Sequence, residues 1–185
     1  AVLEVENPQK TALAILTDKE EIGSVGNTGL ESDFLRYVIG DLAKMQGGDA
    51  TKALRNSKCL SADVNAGIDP TFQDVMERKN ASFLNYGVVV TKYTGSRGKS
   101  GTSDASAEYV AEIRAMLDNA GIIWQTGELG KVDIGGGGTV AMFIANMGVD
   151  VVDLGVPVLS MHAPFEVVSK MDVYMAYRAF EVFLK

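Results

Sequence analysis

The sequence predicts an α/β fold, with a mostly parallel central sheet and helices on both faces. Short apolar runs rich in β-branched residues alternate with amphipathic runs of helical length. The connections between the strand-like runs are long enough to hold crossover helices, which parallel neighbours require. The chain has 185 residues, of which 46% are apolar and 22% charged, a normal balance for one domain with its own core.

Residues 11–17 (TALAILT) read as a buried strand that ends in the acidic turn Asp18-Lys19-Glu20-Glu21. Thr28 and Glu31 have capping-box spacing ahead of a helix to about Gln46, whose Leu35, Val38, Leu42 and Met45 share one face. Residues 57–64 read as a strand closed by the turn Ile68-Asp69-Pro70. Residues 87–93 (GVVVTKY) are β-branched and bounded by glycine, a further strand. A helix over 103–119 turns Val110, Ile113 and Leu117 inward and stops at Gly121; a short strand follows over 122–125.

Four glycines, Gly135 to Gly138, precede an apolar helix over 139–147. Residues 149–154 and 156–161 are two closely spaced strands, and Ser169 with Asp172 has capping-box spacing at the head of a last helix. No internal repeat or linker interrupts the chain, so residues 1–185 are expected to form one domain. The only flexible, basic stretch is 94–102 (TGSRGKSGT).

Composition excludes several classes of function. Lys plus Arg is 17 against 24 for Asp plus Glu, a formal charge of -7, so a basic sheath for a nucleic-acid backbone is not expected. No apolar run approaches the ~20 residues of a membrane span, and the first ten residues do not read as a signal peptide. A single cysteine, Cys59, cannot form an internal disulfide and fits a reducing, cytoplasmic setting. A single histidine, His162, means that a Ser-His-Asp or Cys-His site would have to be built around that one ring.

Three strand ends nevertheless carry chemistry-bearing residues. Asp18, Glu20 and Glu21 follow the first strand, Asp63 ends the SAD segment, and His162 follows the strand over 156–161. Ligands in open α/β sheets bind beyond the carboxyl ends of strands. Carboxylates together with one imidazole suit zinc or a similar divalent cation. Taken separately, the acidic run also reads as a solvated turn, Asp63 as a cap and His162 as a structural ring. The glycines could cradle an anion at a helix start, but no Lys-Ser/Thr follows them and no adequate strand opens a G-x-G-x-x-G pattern.

The segments DKEEIGS, SADVNAGIDP, TKYTGSRGKSGTSDA, WQTGELGKVDIGGGGT and LSMHAPFEVVSKMDVY occur in that order. Together they resemble the M18 family of metalloaminopeptidases, the aminopeptidase I and aspartyl aminopeptidase group, over essentially the whole chain. The resemblance implies a zinc-exopeptidase-like fold and a peptidase that removes N-terminal residues from peptides at a two-zinc site, with cobalt or manganese as alternative ions. It implies that Glu20 is the general base. Glu21 and His162 would be ligands of one zinc and Asp63 a ligand of the other. Lys92, Lys99, Gly137 and Gly138 lie in segments that the family places close to substrate.

The family also forms homo-oligomers of twelve subunits. Its members are more than twice this length. Their upstream His-x-Asp motif, bridging aspartate and inserted assembly domain have no counterpart here. The chain thus resembles the C-terminal part of a catalytic domain, and a non-catalytic module acting in assembly is the alternative. Acidic-selective relatives have histidine after the SAD aspartate. Val64-Asn65-Ala66-Gly67 here points instead to neutral or apolar N-terminal residues.

Overall fold

The computed structural model describes residues 1–131 and 133–185. Val132, inside the WQTGELGKVDIGGGGT segment, lies outside the described residues.

Four strands form the central sheet: β1 (Lys58–Ser61), β3 (Val88–Thr91), β6 (Trp124–Thr126) and β7 (Asp150–Gly155), in the order β1-β7-β3-β6. The pairings β1 with β7 and β3 with β6 are parallel, whereas β3 runs antiparallel to β7. A smaller sheet joins β2 (Asn65–Ala66), β8 (Pro157–Leu159) and β9 (Val167–Val168), and β4 (Tyr93–Ser96) pairs with β5 (Ser100–Asp104) as a hairpin.

The two faces of the central sheet fill separate cores because strand side chains alternate. Val152 and Leu154 of β7 and Val88 and Val90 of β3 pack against α3 (Ala107–Asn119) and α5 (Lys170–Leu184). On the other face Cys59 and Val151 meet α1 (Phe34–Met45), α2 (Ala50–Arg55) and α4 (Ala141–Ala145) through Leu35, Leu54 and Ile144. Helices therefore cover both faces, as the alternating pattern predicts.

Several elements differ from expectation. Residues 11–17 form no strand and are mostly exposed. Their apolar pattern is strand-like, but they pair with no ladder; residues 9–13 and 15 instead line a groove of about 520 Å³ beside Lys58 and Cys59 of β1. The helix expected from residue 28 begins at Phe34, because Thr28 is drawn into a side-chain cluster with Asp18 and Lys19 and caps nothing. The helix expected from residue 103 begins after Ser106, whose hydroxyl accepts from the Tyr109 N–H, and Ser103 belongs to β5. The basic stretch 94–102 is not a free loop: it makes most of the β4–β5 hairpin.

Candidate metal centre

Asp63 is placed by an unusual bend. β1 follows β7 to the pair Ser61 and Asp153, and β2 resumes in the same register with Asn65 opposite Pro157. Between them the chain kinks, with the Asp63 N–H donating to Ser61 O at 3.0 Å and the Asn65 N–H to Val156 O at 2.9 Å. The kink brings the Asp63 carbonyl onto Gly155, where a Cβ would stand 1.6 Å from that oxygen. Glycine is the one residue that leaves this space open.

Glu20 and Glu21 sit in a single 3₁₀ turn, Glu20–Ile22, held between Lys19 and Gly23, both with left-handed backbone. Lys19 (φ 60°) and Ser24 (φ 58°) adopt this conformation without being glycine, as do Ser160 (φ 59°) and His162 (φ 67°) on the opposite segment. Such conformations cost about 1–3 kcal/mol each and gather at functional sites. The turn is tied down by Asp18, whose carboxylate accepts from Lys19 Nζ at 2.8 Å and from the Thr28 hydroxyl at 2.8 Å. Those hydrogen bonds hold the Asp18 carboxyl below its usual range. Asp18 is thus a brace, while Glu20 and Glu21 are left to face the site. The His162 loop has its own brace, since the His162 N–H donates to Glu166 Oε1 at 2.6 Å. Asp18, expected beside Glu20 and Glu21 as a chemistry-bearing residue, is a brace instead, and a carboxylate four residues after His162 is the sequence signal for the second brace.

His162 Nδ1 stands 3.6 Å from Glu21 Oε2. Burial raises the Glu20 carboxyl, helped by the negative charges of Asp63 and Glu21 and opposed by His162. Burial also raises Asp63, and the charge of Glu21 adds to it. The four residues, drawn from three distant stretches of sequence, therefore form one electrostatic cluster. One imidazole and three carboxylates are the donor chemistry of a zinc or similar site. The set is partial: among the described residues no three His, Cys, Asp or Glu side chains are grouped so as to hold one cation.

Lys92 and Lys99 lie elsewhere. β3 runs toward the end of the sheet where β1 and β7 begin, so it carries Lys92 away from Asp63. There the Lys92 amine pairs with Asp104. Lys99 is in the β4–β5 turn, its N–H donating to Ser96 O at 3.1 Å. The glycine run packs on this hairpin: Gly137 O accepts from the Gly95 N–H at 2.9 Å, and a Cβ on Gly138 would meet Gly101 O at 2.8 Å. Cys59 is no nucleophile, because burial and the charge of Asp153 push its thiol up to about 11.

Residues 1–184 match the sequence model of the peptidase M18 family, described as aminopeptidase I zinc metalloprotease. The chain belongs to the M18 family. Among curated M18 relatives, a probable M18 family aminopeptidase 1 of Clostridium acetobutylicum is 48% identical over 188 residues, covering 100% of this chain and 40% of that protein. The crystal structure of aminopeptidase I from Clostridium acetobutylicum superposes with a TM-score of 0.92 at 49% identity, over 100% of this chain and 40% of that one. An M18 aminopeptidase structure from Thermotoga maritima gives 0.87 at 46% identity, over 91% of this chain and 39% of that one. This chain thus spans about 40% of the length of the M18 relatives it matches.

Proposed function

We propose that this chain is the C-terminal part of the catalytic domain of a metal-dependent aminopeptidase that removes N-terminal residues from peptides. The observation that carries the reading is the convergence of Glu20 and Glu21 from a 3₁₀ turn with Asp63 and His162 from the segments after two strands, within a chain that matches the M18 family over residues 1–184. In this reading Glu21 and His162 hold one cation and Asp63 contributes to a second. Zinc is the first choice, with cobalt or manganese as substitutes. The remaining ligands come from outside these 185 residues. When bound, such a pair of ions lowers the pKa of a water and polarises the scissile carbonyl.

Glu20 is the proton carrier. It is more buried than a surface glutamate and its affinity for a proton is raised, first by desolvation and then by neighbouring carboxylates. Desolvation suits a general base that takes a proton from water and delivers it to the departing amine; the carboxylate contribution belongs to the metal-free protein, since cations on Glu21 and Asp63 would offset their charge. Glu166 and the Asp18–Lys19–Thr28 cluster keep the His162 loop and the Glu20 turn in place while the proton moves. The substrate is a peptide with a free amino end, and neutral or apolar first residues are favoured by the absence of histidine at 64–67. The complete enzyme is proposed to be cytoplasmic and to assemble with copies of itself. Among the described residues no helix is long and apolar enough to cross a membrane.

The test is Glu20→Gln in the full-length enzyme that carries this segment. The amide keeps the shape but cannot accept the proton. Turnover of aminoacyl-nitroanilides should fall by at least ~10²-fold, the lower end of general acid–base contributions, with bound zinc unchanged by elemental analysis. Near-normal kcat would remove Glu20 from the role of base.

A further inference from the structure

Beneath Asp63 lies a buried polar group that the proposed reaction does not use. Asp153 of β7 is 4% exposed, faces the same side of the sheet as Val151, and is paired in register with Ser61 of β1. Its Oδ2 accepts from the Thr139 hydroxyl at 2.9 Å. Its Oδ1 is sealed from solvent without a hydrogen-bond partner, and so is the Ser61 hydroxyl beside it. One proton between these two oxygens would satisfy both. Ser61 is 3% exposed and Thr139 6%, so all three residues are buried. A buried carboxyl is a costly choice where an apolar side chain would pack, which calls for a reason beyond filling space.

The placement supplies one. Ser61 is the last paired residue before the kink, and its carbonyl accepts the Asp63 N–H. Thr139 directly follows the glycine run that packs on the β4–β5 hairpin. Asp153 therefore spans from the strand end that presents Asp63 to the loop on the other side of β7. We propose that Asp153 is a positioning residue for the candidate metal ligand Asp63, acting through Ser61 and anchored by Thr139. Asp153 does not touch the cation or the substrate. It fixes the direction in which β1 ends, and so the direction of the Asp63 carboxylate. Polar groups that orient metal ligands are commonly worth ~10–100-fold in metal affinity. This inference rests on the reading of Asp63 as a metal ligand.

The experiment measures zinc affinity, by competition with a chromophoric chelator, in the folded full-length enzyme and its variants. Asp153→Ala removes the Thr139 hydrogen bond and the carboxyl that faces Ser61, and should weaken zinc binding ~10–100-fold. Asp153→Asn keeps an acceptor for Thr139 and gains a donor for Ser61, so it should stay within about threefold of wild type. If Asp153→Ala does not fold, Ser61→Ala is read in its place and should weaken binding several-fold. Unchanged affinity in the folded variant would overturn the proposal and leave the group a purely structural contact. An Asn variant as weak as the Ala variant would also overturn it, since the charge and not the position would then matter. Asp63→Asn separates the two readings. If it too leaves zinc affinity unchanged, the assignment of Asp63 as a ligand falls and this inference falls with it; if it weakens binding while Asp153→Ala does not, only the inference falls.

Discussion

Two residues of β7, Asp153 and Gly155, flank the candidate site without belonging to its chemistry. At Gly155 the constraint is space. A methyl group there would lie 1.6 Å from a backbone oxygen of Asp63, which has no rotamer to escape into. Gly155→Ala should move the kink, lower the thermal midpoint of the full-length enzyme by several degrees, and weaken zinc binding more than tenfold. A variant with wild-type zinc affinity would show that the kink tolerates displacement.

At Asp153 the constraint is charge. Burial pushes its carboxyl up to about 6, with the nearby charge of Asp63 adding to the rise and Ser61 and Thr139 opposing it. The folded pKa lies above the unfolded one, so the folded protein binds this proton more tightly. The stability contribution is greatest below about pH 4 and is lost as pH rises through about 6. A rise from 3.8 to about 6 corresponds to about 3 kcal/mol. In zinc-free protein Asp153→Asn should therefore gain on wild type at pH 7, with the gap closing at about pH 3.5. Denaturant titrations at the two pH values measure it, and a gap independent of pH would contradict the assignment.

At the scale of elements, what the sequence made legible were structures that depend on their own residues. The Ser169 signal is an example. Its hydroxyl accepts from the Met171 and Asp172 N–H groups and opens α5 where the spacing predicts. Asp172 does not complete the box; it is buried and accepts from the Asn85 and Gly87 N–H groups at 2.7 and 2.8 Å. A capping signal was thus also an anchor for a loop distant in sequence, which spacing alone does not reveal. Ser169→Ala should cost about 0.5–2 kcal/mol, as helix caps do. Asp172→Ala should cost at least about 1 kcal/mol more, because it strands two backbone donors. Equal losses in thermal unfolding would mean that the loop contact contributes little.

Elements that depend on a distant partner were less legible. Thr28 has the spacing of a cap but spends its hydroxyl on Asp18 and Lys19. The β4–β5 hairpin is written in Gly, Ser and Thr, and so reads as a loop. Residues 11–17 have a strand's composition but, in this chain, no ladder to join. The same division holds at the site. Glu20, Glu21, Asp63 and His162 stand in motifs of their own, whereas the roles proposed for Asp153 and Gly155 depend on the register of β1 on β7.

For the whole molecule, the sheet and the site run out on the same side. β1 is an edge strand of the central sheet, and the groove beside it is lined in part by residues 9–13 and 15. Leu13, Ile15 and Leu16 along that segment are exposed, Leu16 at 98%. An open edge with apolar side chains beside it is a template for association. The proposed site has a matching gap, since His162 and Glu21 stand 3.6 Å apart and, among the described residues, no three His, Cys, Asp or Glu side chains are grouped so as to hold one cation. Catalytic zinc usually has three protein ligands, and a two-ion centre holds its cations about 3.5–4 Å apart. The 185-residue chain by itself should therefore show no aminopeptidase activity and should self-associate. Purified chain is mixed with zinc, cobalt or manganese and assayed on aminoacyl-nitroanilides with several N-terminal residues, with its mass in solution followed by light scattering. Chelator-sensitive hydrolysis by a preparation free of host peptidase would contradict the prediction, and would mean that a neighbouring copy completes the site. Activity that appears only after the remaining part of the full-length enzyme is added in trans would instead locate the missing ligands in that part.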